Sequence, residues 1–167
     1  VTVAKYLGIA DEKIKAAVAD FKGVMRRFEY ALKNEDHVLI DDYAHHPEEL
    51  RALISGVKSI FKTEKLVLVF QPHLFSRTKD LADEFAHSLD MADEVILLPV
   101  YPARELPMEG VSSELLLNKM RMVHKQLLSK EATKDWVALH QPKLLVIAGA
   151  GDIDALVQPL KALLQHT

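Results

Sequence analysis

Residues 38–49 read VLIDDYAHHPEE, and in this stretch an apolar strand runs directly into a polar segment that opens a helix. Pro47 suits a first helical position because its missing N–H would have had no partner there, and Glu48 and Glu49 favour the positive end of the helix dipole. A helix is therefore predicted to begin near Pro47. The polar side chains of residues 41–46 then lie at the carboxyl end of a strand, where open α/β sheets bind their ligands.

Outward from this junction, short apolar runs alternate with longer amphipathic stretches. Strands are predicted at 38–40, 66–70, 95–100 and 144–148, and helices at 47–61, 77–90 and 153–165. Such alternation predicts a mainly parallel sheet with helices on both faces, and the wholly apolar run 66–70 is typical of a central strand. Residues 28–33 predict an edge strand that forms a hairpin with 37–42. A helix start at 112–114, a short strand within 122–127 and a helix at 129–140 complete the pattern.

The predicted fold is therefore an α/β fold, a doubly wound and mostly parallel sheet of about six strands with an antiparallel edge hairpin. Residues 1–22 do not fit this scheme, because two helical pieces occur there without a preceding strand. We expect a domain boundary near Gly23, with residues 1–23 as a helical remnant of a preceding domain and residues 24–167 as the domain itself.

Composition limits the class of protein. The 167 residues, 49% of them hydrophobic, are enough for one well-buried core. A formal charge of −3 without a basic run gives no electrostatic support for nucleic-acid binding, and the absence of cysteine excludes disulfides and thiolate metal sites. No segment has the pattern of a membrane span or of a signal peptide. We expect a soluble, cytoplasmic protein without membrane or nucleic-acid partners.

The links that follow the predicted strands are rich in functional groups, whereas the links that precede them are plain. These polar links are 41–46, 71–77, 101–105 and 149–152. Because the carboxyl ends of parallel strands meet at one edge, all four are expected to line a single crevice.

Several residues in these links have both a structural and a functional interpretation. Asp41 is as readily a helix cap as a ligand contact, and Asp42 favours function because it lies closer to the crevice. His45 and His46 could bind a metal, but adjacent rings rarely face one ion, so one histidine is expected to line a pocket and the other to cap the helix.

The link after strand 66–70 predicts an anion site. Arg77 offers a planar fork that fits a carboxylate or a phosphate, His73 lies in the same link, and Ser76 or Thr78 could cap the next helix and leave its N–H groups to the anion. Two neighbouring pairs of charged residues have simpler interpretations. Arg26 and Arg27 could be ordinary surface charge, and residues 104 and 105 are expected to pair with each other.

The link 149–152, Gly-Ala-Gly-Asp, resembles a dinucleotide turn but lacks its third glycine, since residue 154 is Asp. A tight turn with Asp152 near the cap of the last helix explains it adequately. No Walker loop occurs in the chain, so the main phosphate cradle of any nucleotide chemistry lies elsewhere.

Four segments together resemble a known family in order and spacing. They are FKGVMRRFE at 21–29, DDYAHHP at 41–47, FQPH with SRT at 70–78, and GAGD at 149–152. These segments resemble the carboxyl-terminal domain of the Mur ligases, and in particular the branch that joins L-alanine to UDP-N-acetylmuramate in peptidoglycan synthesis. The resemblance implies a Rossmann-like domain that follows a central ATPase domain, the source of residues 1–23, in a three-domain cytoplasmic enzyme of bacterial cell-wall synthesis.

The resemblance also implies a reaction and roles for six residues. An acyl phosphate formed from ATP, with Mg²⁺ bound mostly outside this chain, is attacked by the amine of L-alanine. Arg27 is expected to contact the terminal phosphates as a catalytic residue, and Asp42 the ribose side of the nucleotide. The remaining four are expected to surround the amino acid: Tyr43, His45, His73 and Arg77. Where some relatives have a second arginine the chain has Leu74, so backbone N–H groups are expected to assist Arg77.

UDP-N-acetylmuramate is expected to bind through domains absent here, so the chain alone is expected to be inactive. Three alternatives remain at this point. One is a ligase that recycles murein tripeptide, and another is a stand-alone module that binds an amino acid or nucleotide. The third is a metal-dependent phosphoesterase with Asp41, Asp42, His45 and His46 as ligands and Asp152 as an additional candidate.

Overall fold

The computed structural model describes residues 1–21 and 23–165 of the chain. Lys22, in the predicted boundary segment, and residues 166 and 167, at the end of the predicted domain, lie outside the described residues. The described part contains six strands: β1 (Glu29–Lys33), β2 (Val38–Asp42), β3 (Leu66–Phe70), β4 (Glu94–Leu97), β5 (Lys125–Leu127) and β6 (Leu144–Ala148).

Helices cover the remaining regular parts of the described chain. They are α1 (Thr2–Tyr6), α2 (Asp11–Asp20), α3 (Pro47–Ile60), α4 (Phe75–Asp80), α5 (Ala82–Leu89), α6 (Ser113–Lys119), α7 (Lys130–His140) and α8 (Val157–Gln165), with a 3₁₀ turn at Asp152–Leu156. None of the helices in the described ranges is long and apolar enough to cross a membrane.

The six strands form one sheet in the order β1-β2-β6-β3-β4-β5. The β1–β2 pair is antiparallel and every other neighbouring pair is parallel. The predicted doubly wound, mostly parallel sheet with an antiparallel edge hairpin is confirmed. Its central strands β3 and β6 are buried at every position, as the unbroken apolar run of β3 predicted.

Each face of the sheet has its own core, because successive side chains of a strand point to opposite faces. Ile40 and Leu68 pack with Phe85 on the face covered by α3, α5 and α6. Leu39 and Val69 pack with residues of α7 and α8 on the other face. Burial on both faces fixes the register of the central strands, since a shift by one residue would exchange the two sets.

Three predicted boundaries differ from the structure. The single helix expected at 77–90 is two helices, α4 and α5, with a non-helical Leu81 between them. The strand expected at 95–100 ends at Leu97, because Pro99 has no N–H to continue the ladder. The last helix was expected to begin at residue 153, but a 3₁₀ turn occupies that position and α8 begins at Val157.

Helices α1 and α2 pack differently from the rest. Of their described residues only Ile14 is buried, and large apolar side chains such as Val3, Tyr6, Val18 and Phe21 are exposed. The division of the chain near Gly23 stays a prediction.

Candidate functional site

The four polar links meet at the carboxyl edge of the sheet, as expected for parallel neighbours β2, β6, β3 and β4. Backbone and side-chain bonds join them in pairs. The Gly149 N–H donates to the Asp42 carbonyl at 3.2 Å, and Gln71 Nε2 donates to Asp152 Oδ1 at 2.9 Å. His73 and Tyr101 form an isolated parallel bridge. All four links therefore meet at this edge, where the crevice was predicted.

A row of rings lines this crevice. The Tyr43 and His45 rings meet edge to face with centroids 5.2 Å apart, and the His45 and His73 rings do so at 5.9 Å. The His73 ring is stacked on the Tyr101 ring at 5.6 Å. Arg77 Nη1 lies 3.5 Å from His73 Nδ1. The structure thus brings together the four residues expected around an amino acid, and it adds Tyr101.

Sequence reasoning placed Tyr101 in a polar link but gave it no role. A tyrosine at the end of the β4 segment, followed by Pro102, was the available signal. Its contact with His73 depends on the pairing of β3 with β4, which the sequence does not specify.

The environment of His73 favours the neutral imidazole. Burial lowers the pKa of His73, and the nearby Arg77 guanidinium and the His45 ring lower it further, while Glu105 opposes them. A neutral ring keeps one nitrogen as an acceptor beside the Arg77 cation. The pair can therefore offer a cation and a hydrogen-bonding ring to a ligand that carries a carboxylate and an amine.

Glu49 orients His45 at the start of α3. Its Oε2 accepts the N–H of His45 at 2.9 Å and that of His46 at 3.2 Å, and lies 3.3 Å from His45 Nδ1. Burial raises the pKa of Glu49, but these bonds and the His45 ring outweigh burial, so the net pKa is lowered. His46 is exposed at the N-cap of α3 and His45 faces the crevice, which confirms the predicted division between the two histidines.

Asp42 holds the edge hairpin against the loop after β2. Its Oδ2 accepts the N–H of Phe28 at 2.7 Å, its Oδ1 accepts the N–H of Ala44 at 2.8 Å, and only 9% of the residue is exposed. Both carboxylate oxygens thus already bind backbone groups. The predicted contact of Asp42 with a nucleotide stays a prediction.

Arg26 and Arg27 separate into two environments. Arg26, with a φ of 55°, donates from Nη2 to the Gly149 carbonyl at 2.6 Å and has Nε 3.5 Å from Asp41 Oδ2. It ties the hairpin to the glycine link, so it is not ordinary surface charge. Arg27 is exposed, and its guanidinium lies 5.5 Å from the centroid of the Tyr43 ring. Arg27 therefore lies at the rim of the crevice. Its predicted contact with the terminal phosphates stays a prediction.

Asp41 is buried beside Arg26. Burial raises the pKa of Asp41 to about 6 against the attraction of Arg26, and the carboxylates of Glu29, Asp154 and Asp42 raise it further. A carboxyl group acquires a pKa this close to neutrality only through the burial that the folded chain provides.

Two predictions about the links after β3 and β4 are wrong. Neither Ser76 nor Thr78 caps α4: Leu74 occupies the N-cap, and Thr78 Oγ1 donates to the Leu74 carbonyl at 2.7 Å. Within the described chain Arg104 and Glu105 form no ion pair. Glu105 instead accepts the Ser76 N–H at 2.9 Å and its hydroxyl at 2.5 Å. The Ser76 N–H is therefore already bound and does not assist Arg77.

The glycine link is a tight turn, as predicted. Gly149 has a φ of 153°, and a Cβ there would lie 3.0 Å from the Gln71 carbonyl oxygen. A Cβ on Gly151 would lie 2.6 Å from Tyr101 Cγ. Asp152 opens the 3₁₀ turn instead of capping α8, and its carboxylate binds Gln71 and Lys130.

A metal site finds no support in the donor geometry. Across the described ranges, 1–21 and 23–165, no group of three or more His, Asp or Glu side chains could hold a metal ion. The cluster at 41–46 with Asp152 therefore does not fit the metal that a phosphoesterase of the kind considered above would need.

Comparison with known proteins agrees with this geometry. The profile of the family described as "Mur ligase, glutamate ligase domain" matches residues 26–153. A curated relative from Cytophaga hutchinsonii, UDP-N-acetylmuramate--L-alanine ligase, is 48% identical over 163 residues, which is 98% of this chain and 35% of the relative.

Solved structures give the same picture. The UDP-N-acetylmuramate-alanine ligase from Thermotoga maritima superposes with a TM-score of 0.79 at 27% identity, over 98% of this chain and 35% of that one. A murein peptide ligase from Psychrobacter arcticus superposes with a TM-score of 0.71 at 22% identity, over 91% and 32%. The second likeness concerns the fold alone. The chain spans about a third of the length of these relatives.

Proposed function

We propose, from the premise that this chain belongs to the Mur ligase family, that it is the carboxyl-terminal part of an ATP-dependent ligase that joins L-alanine to UDP-N-acetylmuramate. The reaction would pass through an acyl phosphate, and the enzyme would act in the cytoplasm in peptidoglycan synthesis. The 48% identity to an L-alanine ligase over nearly the whole chain supports this choice of substrate.

The single observation that carries the proposal is the cluster of Tyr43, His45, His73 and Arg77 at one edge of the sheet. Arg77 supplies a planar cation for the carboxylate of an amino acid. The neutral His73 and the oriented His45 supply hydrogen-bonding rings for its amine. In this proposal the domain's task is to bind and orient L-alanine, since orientation alone accelerates a reaction between two bound groups.

The nucleotide would be shared with domains outside this chain. Arg27 is exposed and lies beside the Tyr43 ring, and we assign it to the terminal phosphates as the catalytic residue of the chain. Asp42 is assigned to the ribose side, where its bound oxygens could each accept one further hydrogen bond. Mg²⁺ ligands would come mostly from other domains. Residues 1–23 are assigned to the preceding ATPase domain and residues 24–167 to this one.

The recycling ligase is the nearest alternative, and its support is weaker. The murein peptide ligase shares the fold at 22% identity. The L-alanine ligase relative is 48% identical to this chain over 98% of this chain.

Phosphate release by the intact ligase tests the proposal. The enzyme is given ATP, Mg²⁺ and UDP-N-acetylmuramate with L-alanine, D-glutamate or murein tripeptide as the acceptor. We expect release that depends on L-alanine and a product extended by one alanine in mass spectrometry. Release that depends on tripeptide, or none with L-alanine, would refute the substrate assignment.

A further inference from the structure

The loop after β4 holds the loop after β3 at several points, and Glu105 provides the last of them. The Tyr101 N–H donates to the Pro72 carbonyl at 2.8 Å, and the Leu74 N–H donates to the Tyr101 carbonyl at 2.9 Å. Further along, both carboxylate oxygens of Glu105 bind Ser76, one through its backbone N–H and the other through its hydroxyl. The two loops therefore run side by side from Pro72 to Ser76.

Leu74, in the loop after β3, has a strained backbone conformation. Leu74 has a φ of 72° and a ψ of 134°, in a region that side chains other than glycine rarely adopt. Its N–H is bound by Tyr101, and its carbonyl accepts both the N–H and the hydroxyl of Thr78. Leu74 is the residue between His73 and the first turn of α4, so this strained turn determines where the ring and the guanidinium of the site lie relative to each other.

We infer that Glu105 is a positioning residue for the amino-acid site. Through its two hydrogen bonds to Ser76, it fixes the first turn of α4 and thereby sets the orientation of the Arg77 and His73 side chains. This inference rests on the proposed function for its kinetic consequence. Ser76 directly precedes Arg77, so a shift of its backbone moves the base of the arginine side chain. Without these two bonds, α4, which is only six residues long, would keep at its first turn only the bond from the Thr78 hydroxyl to the Leu74 carbonyl and the 3.5 Å contact of Arg77 with His73 among the described residues.

The charges around Glu105 agree with this role. The Ser76 hydroxyl and N–H, the Phe75 N–H and the Arg77 charge hold the pKa of Glu105 below its usual range, so it is an anion under working conditions. Its charge also acts on the site directly, because it counters the lowering of the His73 pKa by burial, Arg77 and His45. Glu105 thus balances part of the Arg77 charge.

Kinetics of the intact ligase test the inference. Glu105→Ala and Ser76→Ala should each raise the KM for L-alanine by about tenfold, as small displacements of binding groups do, with the KM for ATP nearly unchanged. The double variant should be no worse than Glu105→Ala alone, since Ser76→Ala removes only the hydroxyl bond, which is already lost when Glu105 is replaced. Glu105→Gln, which keeps an acceptor for the N–H, should recover part of the loss. The matched control is Glu109→Ala, which removes an exposed charge from the same segment.

An unchanged KM for L-alanine in the Glu105→Ala enzyme, strictly additive effects, or an equal defect in the KM for ATP would overturn the inference. An unmodified ligase without L-alanine-dependent activity would instead refute the proposed function. For that case NMR titration of His73 in this chain supplies an independent readout. Glu105→Gln should lower the pKa of His73 and Glu109→Gln should leave it in place, and a His73 pKa that does not respond to Glu105→Gln would overturn the inference without reference to any substrate.

Discussion

Replacement of Asp41 with asparagine should change how the stability of the chain depends on pH. Asp41 is 4% exposed, and burial raises its pKa to about 6 despite Arg26 at 3.5 Å. In the unfolded chain the pKa of the same carboxyl lies near its ordinary value of 3.8. Between these two values the folded state binds more protons than the unfolded state, so the free energy of unfolding falls as the pH rises. The contribution of the protonated group is complete below the unfolded pKa and is lost as the pH passes the folded pKa.

The size of the effect follows from the shift. A rise of about two units corresponds to roughly 3 kcal/mol, of which about 2 kcal/mol lies between about pH 4.5 and about pH 7.5. Asp41→Asn is neutral throughout this range, so the loss is absent from the variant. The stability of the unmodified chain minus that of the variant should therefore be about 2 kcal/mol larger at the lower pH.

Urea denaturation followed by circular dichroism at the two pH values measures this difference. Other carboxylates, such as Asp93 and Asp152, have lowered pKa values and act in the opposite direction, but they cancel when the variant is compared with the unmodified chain. Asp36→Asn is the matched control, because it removes an exposed carboxylate that is not among the groups that shift the pKa of Asp41. If Asp41→Asn shows the same offset from the unmodified chain at both pH values, burial does not dominate at this site and the reasoning fails.

Four further outcomes are expected. Arg27→Ala in the intact ligase should raise the activation free energy of acyl phosphate formation by about 2–4 kcal/mol, with a smaller change in L-alanine binding. Rapid-quench measurement of acyl phosphate tests this, and an unchanged rate would contradict the assigned role. Arg77→Lys keeps the charge but loses the planar fork, so the KM for L-alanine should rise while the KM for ATP stays nearly constant in steady-state assays; a defect confined to ATP would remove Arg77 from the amino-acid site. Gly151→Ala places a Cβ 2.6 Å from Tyr101 Cγ and should lower the free energy of unfolding in urea by about 1–3 kcal/mol. The control Gly56→Ala, whose Cβ would lie 3.8 Å from the Phe28 ring, should show no such loss. Equal stabilities of the two variants would show that the turn can shift without cost. The isolated chain mixed with ATP, Mg²⁺, UDP-N-acetylmuramate and L-alanine should release no phosphate above background, and turnover by the purified chain would refute the dependence on other domains.

Local pattern was sufficient for most of the fold. The unbroken apolar run at 66–70 predicted a fully buried central strand, and Pro47 with two glutamates predicted the start of α3. Both signals act over a few residues, because burial of a strand and the free N–H groups of a helix end depend on the immediate sequence. The end of β4 was also fixed locally, by Pro99, whereas the break between α4 and α5 at Leu81 has no proline or glycine to announce it in residues 77–90.

The sequence by itself determined the class of the sheet, the edge on which the polar links lie, and the residue types available there, since strand and helix periodicity are properties of the local chain. Only the tertiary structure decided the partners. Glu105 binds Ser76 across 29 positions of sequence, Arg26 reaches Gly149 across 123, and Tyr101 stacks on His73 because β3 and β4 are neighbours in the sheet. Such contacts depend on strand order, and burial then sets the pKa of Asp41 and His73. Strand order arises from the packing of both faces at once, which no local pattern specifies.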